Sequence, residues 1–149
     1  MYFVQHGVAL AKEIDPDRPL SADGRKEVEC ISAHLRKMGV AVRYIYHSGK
    51  TRAKETAQVF ADQIGDGSVH ERSGMAPTDS AEAFASLLEA DNAMYVGHLP
   101  HMEKLVSYLT TGDEDRSVVK FANGAVVCVE KDVTRFHIEW YLRPSMCNV

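Results

Sequence analysis

Three short runs of β-branched and aromatic residues each stop beside a histidine paired with glycine or serine, and helical spacing follows each of them. Met1–Gln5 ends at His6-Gly7, Arg43–His47 at Ser48-Gly49, and Ala93–Val96 at Gly97-His98. After a proline-marked loop (Asp15-Pro16-Asp17, Arg18-Pro19), Ser21 is an N-cap candidate. Val28, Ile31, Leu35 and Met38 then share one helical face up to Gly39. Ala53, Ala57, Phe60 and Ile64 line a second helix ended by Gly65, and Phe84, Leu87 and Leu88 mark a third. Pro100 suits the first turn of a fourth, whose apolar face is Met102, Leu105, Val106 and Leu109. Strands that alternate with helices cannot pair through tight turns, so the spacing predicts a largely parallel sheet covered on both faces. Beyond Gly112 the pattern changes. Val118–Phe121, Ala125–Glu130 and Phe136–Leu142 read as strands, the first two joined by a tight turn at Asn123-Gly124. The expected fold is a three-layer α/β/α sandwich, its mostly parallel central sheet extended by antiparallel edge strands from the C-terminal third.

Composition narrows the class without touching the chemistry. The 149 residues suit one domain spanning 1–149, and 45% hydrophobic with 26% charged residues is ordinary for a globular chain. A net charge of −4 argues against nucleic acid as a partner, because a duplex binder needs a basic face. No apolar run approaches the roughly 20 residues of a membrane span, so no membrane partner is expected. The first residues lack a basic stretch followed by an apolar one, which argues against secretion. Cys30, Cys128 and Cys147 are odd in number and far apart. They read as reduced thiols of a cytoplasmic protein, two of them in the core.

Ligands of open α/β sheets bind outside the carboxyl ends of strands, so the three histidine-bearing strand ends can converge. Two helices begin near those ends, and their free N–H groups favour an anion. Arg52 stands in the first turn of one of them. A cation there opposes the helix dipole, which a bound anion would explain; pairing with Glu55 at the surface is the alternative.

Val4-Gln5-His6-Gly7, Arg18-Pro19-Leu20-Ser21 through Gly24, Ser48-x-x-x-Arg52-Ala53-x-x-Thr56 and Gly97-His98-Leu99-Pro100-His101 follow one another in an order that resembles the histidine phosphatase superfamily. Within it, the short bacterial phosphohistidine phosphatases of the SixA type are the nearest likeness. The resemblance runs from Met1 to about Leu109. It implies that His6 is the nucleophile that takes up the phosphoryl group, one ring nitrogen attacking while the other is held as N–H. Arg52 would grip two phosphoryl oxygens, and His98 would donate to the charge that develops in transfer. Gly7 would let the backbone approach the phosphate, Ser48 would cap the helix or touch phosphate, and Arg18 would help close the pocket or pair with Asp15 or Asp17.

The chain departs from the family where Arg-His-Gly is the rule and Gln5 stands instead. A lost charge-assisted hydrogen bond is worth about 1.5–3 kcal/mol, a tenfold to hundredfold rate deficit unless something compensates. Gln5 still offers one amide N–H, and Lys50 is a candidate to swing in and restore the charge. Superfamily members acting on phosphate esters also carry a carboxylic acid after the middle strand to protonate the alcohol. Gly74–Thr78 holds none at its core, although Glu71 and Asp79 flank it. That absence favours an N–P bond, whose nitrogen leaves without such help.

Other chemistries fit less well. Ser48-Gly49-Lys50-Thr51 mimics the end of a phosphate-binding loop, but Tyr44 occupies the position of its first glycine. His98 and His101 lack further metal-type neighbours, so no metal and no cofactor is expected. The sequence thus points to a phosphatase acting on a phosphorylated protein, a histidine phosphotransfer domain or a phosphocarrier, with phosphate or another oxyanion in the site. The alternatives are a weakened module that binds a phosphorylated ligand or protein, and a small-molecule phosphomonoesterase using Glu71 or Asp79.

Overall fold

The computed structural model describes residues 1–88 and 92–147. Its elements run β1 (Tyr2–Gln5), α1 (Ala22–Lys37), β2 (Tyr44–His47), α2 (Thr51–Ile64), β3 (His70–Glu71), α3 (Ala81–Ala85), β4 (Ala93–Gly97), α4 (His101–Thr111), β5 (Val126–Lys131) and β6 (Phe136–Leu142), with a 3-10 turn at Pro144–Met146. The sheet order is β3-β2-β4-β1-β5-β6. β1 pairs parallel with β4 and β2 parallel with both β3 and β4, whereas β5 runs antiparallel to β1 and to β6. The α/β fold and its mixed sheet are thus as the alternation predicted. Register is what matters for function. Gln5 stands opposite Gly97, and His47 opposite Val96, so the chain leaves β1, β2 and β4 at one level of one sheet edge.

Side chains alternate between the two faces of a strand, and that alternation builds two cores. Val4, Ile45, Met94, Val96 and Val126 join Val28, Ile31, Leu35, Ala57 and Phe60 from α1 and α2. Phe3, Tyr95, Val127 and Val129 join Phe84, Met102 and Leu105 from α3 and α4. On that second face Tyr95 stacks between Phe3 and Tyr46, at ring separations of 5.7 and 5.3 Å, and Phe84 meets it edge-on.

The C-terminal third departs from expectation at Val118–Phe121, which forms no strand. Both edges of β5 are already taken, by β1 and β6, so a hairpin partner had no place to pair. The segment is instead pinned by buried Phe121, whose N–H donates to the Glu103 carboxylate at 3.1 Å, while Val118 faces solvent. The turn at Asn123-Gly124 exists, with Gly124 at φ +75°, but it joins that irregular segment to β5. α3 stops at Ala85 rather than reaching Leu88. Ser86 turns its hydroxyl back onto the Ala83 carbonyl at 2.7 Å, and Leu87 lies exposed in the following turn. The two-residue β3 has no periodicity to reveal it. Of the three free cysteines only Cys128 is buried, Cys30 and Cys147 being half-exposed.

Ser21 caps α1 through its hydroxyl, which accepts from the Gly24 N–H at 2.9 Å, and the Ser21 N–H returns to the Val8 carbonyl. Gly24 lies directly under that same carbonyl, so a methyl group there would collide with backbone. Gly24→Ala is expected to lower stability by about 1–3 kcal/mol, the usual cost of overpacking. Urea denaturation of the two proteins measures it, an unchanged midpoint being the contrary result.

Candidate functional site

β1 delivers His6 to the common sheet edge, and its backbone is fixed from two sides. The His6 N–H donates to the Gly97 carbonyl of β4 at 3.1 Å, while its own carbonyl accepts from Asn123 Nδ2 and from the Gly124 N–H, each at 3.1 Å. The ring is fixed as well. Nδ1 lies 2.7 Å from the Gly7 carbonyl oxygen, which can only accept, so Nδ1 bears the proton and Nε2 keeps its lone pair. Arg52 Nε donates to that Nε2 at 3.3 Å. Burial is the main cause that pushes the His6 imidazole down to about 4, assisted by the Arg52 and Arg18 charges and opposed by the bond to Gly7. A neutral imidazole with one unprotonated nitrogen beside a guanidinium has the chemistry to attack an anionic electrophile.

His98 follows β4 and lies with its ring centroid 5.0 Å from that of His6. Its Nε2 shares a 2.6 Å hydrogen bond with the Ser48 hydroxyl. Burial, then the charges of His6, Arg52, Lys50 and His101, lowers it to about 3. Ser48 thus serves His98 first and reaches the head of α2 through a long bond from the Lys50 N–H at 3.4 Å, while the N-cap Lys50 provides no side-chain cap. With no side-chain cap, the first turn of α2, which carries Arg52, is open to an anion at its N–H groups. Arg52, in that turn, turns its Nε to His6, whereas Glu55 accepts from the Leu20 N–H at 2.7 Å and reaches Arg25. Arg18 adopts a left-handed backbone (φ 50°) and donates Nε to the Leu10 carbonyl instead of pairing with Asp15 or Asp17. Lys50 is exposed on the rim. Gln5 is buried beside His6, and its Oε1 has no hydrogen-bond partner among the described residues. Gly7 is crowded from the α1 side, where a methyl group would meet Val28 Cγ2 at 2.8 Å and Leu20 Cδ2 at 3.0 Å.

Three supports of the site were given no role in it by the sequence. Thr56 Oγ1 accepts from the Gly7 N–H at 3.0 Å and donates to the Arg52 carbonyl at 2.7 Å, tying nucleophile to guanidinium. Its place four residues after Arg52 was the available signal. Asn123 read as a turn residue, and nothing in one sequence shows that it reaches His6 across more than a hundred positions. His47 Nδ1 accepts from the Gly49 N–H at 3.0 Å and holds the loop that presents Ser48. Of the two flanking carboxylates, Asp79 is committed to the Ala76 N–H at 2.8 Å, and Glu71 is exposed against Gly49. Among the described residues no cluster of three or more His, Cys, Asp or Glu side chains is placed to hold a metal ion.

Similarity to known proteins agrees with this arrangement. The protein histidine phosphatase SixA complexed with tungstate superposes with a TM-score of 0.86 at 20% identity, over 97% of each chain. SixA from Agrobacterium tumefaciens gives 0.79 at 23% identity, over 96% of each. A phosphoserine phosphatase from Entamoeba histolytica, solved with 3-phosphoglyceric acid, gives 0.72 at 15%, over 94% of each. At such identities these likenesses establish the fold. Residues 1–82, which hold His6, Arg18, Ser48, Arg52 and Thr56, match the family model of the histidine phosphatase superfamily, branch 1, and the chain belongs to that superfamily.

Proposed function

We propose that the protein is a phosphohistidine phosphatase that removes the phosphoryl group from a histidine of a partner protein, a histidine phosphotransfer domain or a phosphocarrier. The observation that carries this reading is the 2.7 Å bond from His6 Nδ1 to the Gly7 carbonyl, which leaves Nε2 unprotonated, its lone pair held only by the Arg52 Nε–H that an incoming phosphoryl group would draw away. In the first transfer, the lone pair of His6 Nε2 attacks phosphorus in line. An N–P bond forms on His6 as the N–P bond of the substrate breaks, and its electron pair returns to the departing imidazole, which leaves neutral because its other ring nitrogen carries a proton. In the second, water attacks the phosphorylated His6, the new N–P bond breaks, and inorganic phosphate leaves with the water's protons. Arg52, the open N–H groups of α2 and His98 face the phosphoryl oxygens in both steps.

Engagement of Asp79 and the want of a carboxylate within Gly74–Thr78 favour the N–P substrate over a phosphate ester, which would have to rely on the exposed Glu71 as its acid. Asp79 is held by backbone, and Gly74–Thr78 bears no carboxylate. An alkoxide needs a proton as it leaves, whereas an imidazole already protonated at its other ring nitrogen does not. The net charge of −4 around a pocket lined by Arg18, Lys50 and Arg52 disfavours free anions and leaves selection to protein docking. A second reading rests on Gln5, a neutral amide where the family has a cation: a site that binds phosphorylated protein but turns over slowly.

Labelling separates the two. Mixed with a phosphohistidine donor and quenched in alkali, the protein is expected to show acid-labile phosphate on His6 and to release it; His6→Ala abolishes the label. Binding without label would support the second reading instead. Gln5→Arg should raise the single-turnover rate about tenfold or more, following the value of a charge-assisted hydrogen bond; an unchanged rate would mean that Gln5 belongs to a differently organised site. The labelling rate should also stay level from pH 7 to about 5. It should then fall tenfold per pH unit below about 4, because protonation of His6 removes the attacking lone pair. Pulsed labelling across that range measures it, and a fall centred near 6.5 would contradict the assignment.

A further inference from the structure

His101 opens α4 one turn beyond His98, and its imidazole is fully enclosed. Neither of its ring nitrogens has a hydrogen-bond partner among the described residues, and neither has Nδ1 of His98. Three buried, unpartnered nitrogens therefore lie within four residues of chain, and the Met102 N–H bond to the His98 carbonyl (2.9 Å) fixes that turn of backbone. Apolar packing does not account for them. The His101 ring lies 5.5 Å from that of Phe84, nearly edge-on, in a cluster with Met75, Met102 and Leu105. Leucine or phenylalanine would fill that space without the penalty of burying unpaired polar groups, about 1–3 kcal/mol each. Buried polar atoms are as a rule bonded, to protein or to water. An enclosed water molecule needs two to four polar partners, and His98 Nδ1 with one ring nitrogen of His101 supplies two.

We propose that His101 is a positioning residue for His98, acting through one enclosed water molecule held between its ring and His98 Nδ1. The purpose of this device rests on the phosphatase reading; its geometry does not. His98 Nε2 already has Ser48 at 2.6 Å on the pocket side. When a phosphoryl dianion enters the site, His98 is stabilised as imidazolium, and each N–H then requires an acceptor. Nε2 has the phosphoryl oxygen or Ser48, and Nδ1 has the water that His101 anchors. The groups facing His98 are His6, Arg52, Lys50 and His101, all of which disfavour its charged form while the site is free of anion. Asp79 and Glu114 face His101 and favour its charged form, but burial outweighs them and keeps it neutral. A neutral ring has one lone pair and one N–H with which to hold the water.

Nitrogen-15 NMR of the histidine rings tests this in the wild type, His101→Phe and His101→Gln, each with and without saturating inorganic phosphate. In the anion-free protein His98 Nδ1 should resonate as a hydrogen-bonded nitrogen in the wild type, shift to the unbonded position in His101→Phe, and return towards the wild-type value in His101→Gln. With phosphate bound, the pKa of His98 should be at least about one unit lower in the phenylalanine variant, and phosphate affinity at neutral pH about tenfold weaker. An Nδ1 resonance that is the same in all three proteins overturns the proposal. Should His101→Phe fail to fold, cross-relaxation between the His98 ring and a long-lived internal water in the wild type decides the matter, its absence being the overturning result. If phosphate binds none of the proteins, the phosphatase reading fails, and the anion-free spectra still decide whether His101 is bridged to His98.

Discussion

The hydrogen bond between His6 Nδ1 and the carbonyl of Gly7 is the constraint around which the site is organised. It decides which ring nitrogen keeps its lone pair, and it holds only while the backbone at Gly7 stays put. Thr56 secures the Gly7 N–H from α2, and Asn123 and Gly124 secure the His6 carbonyl from the turn before β5. Elements that are remote in sequence thus converge on the single peptide group between His6 and Gly7. The tautomer of His6 is a property of the tertiary fold, not of the His-Gly pair alone.

Electrostatics follows from the same placement. His6 and His98 are buried among cations, so both are neutral at physiological pH while the pocket lacks an anion. Burial, and after it the nearby Arg18 charge, disfavours the charged form of Arg52. Such a cluster is poorly tolerated by itself and is relieved by an incoming oxyanion, whose binding therefore draws on repulsion already present in the folded protein. Gln5 weakens this device at one point: an amide neither adds to the repulsion nor gains as much from its relief.

Much of the site was legible because its residues sit at strand ends and helix starts, where composition and spacing are informative. His6, Ser48 and His98 could be aligned as soon as β1, β2 and β4 were read as parallel, and Arg52 stood out as a cation at a helix N-terminus. Ser48 was legible only as a polar residue near that terminus; its bond to His98 depends on the register between β2 and β4, which no local pattern encodes. Val118–Phe121 misled for a related reason. Its residues suit a strand, but strand formation requires a free neighbouring edge, and occupancy of the β5 edges is decided by the whole sheet. Asn123-Gly124 has the chemistry of a turn in either case, and the tertiary structure gives that turn its work.

The strand order also determines how the sheet ends. One outer strand, β3, is two residues long, and the other, β6, is joined to β5 across a bulge at Cys128/Val129 and exposes His137 and Glu139. An unpaired strand from another chain would find only one or two backbone partners on the first edge and an irregular, charge-bearing ladder on the second. The regular, strongly apolar strands β1 and β4 are the ones shielded in the middle. The arrangement that gathers the chemistry at the carboxyl ends of the central strands thereby also guards the protein against edge-to-edge aggregation.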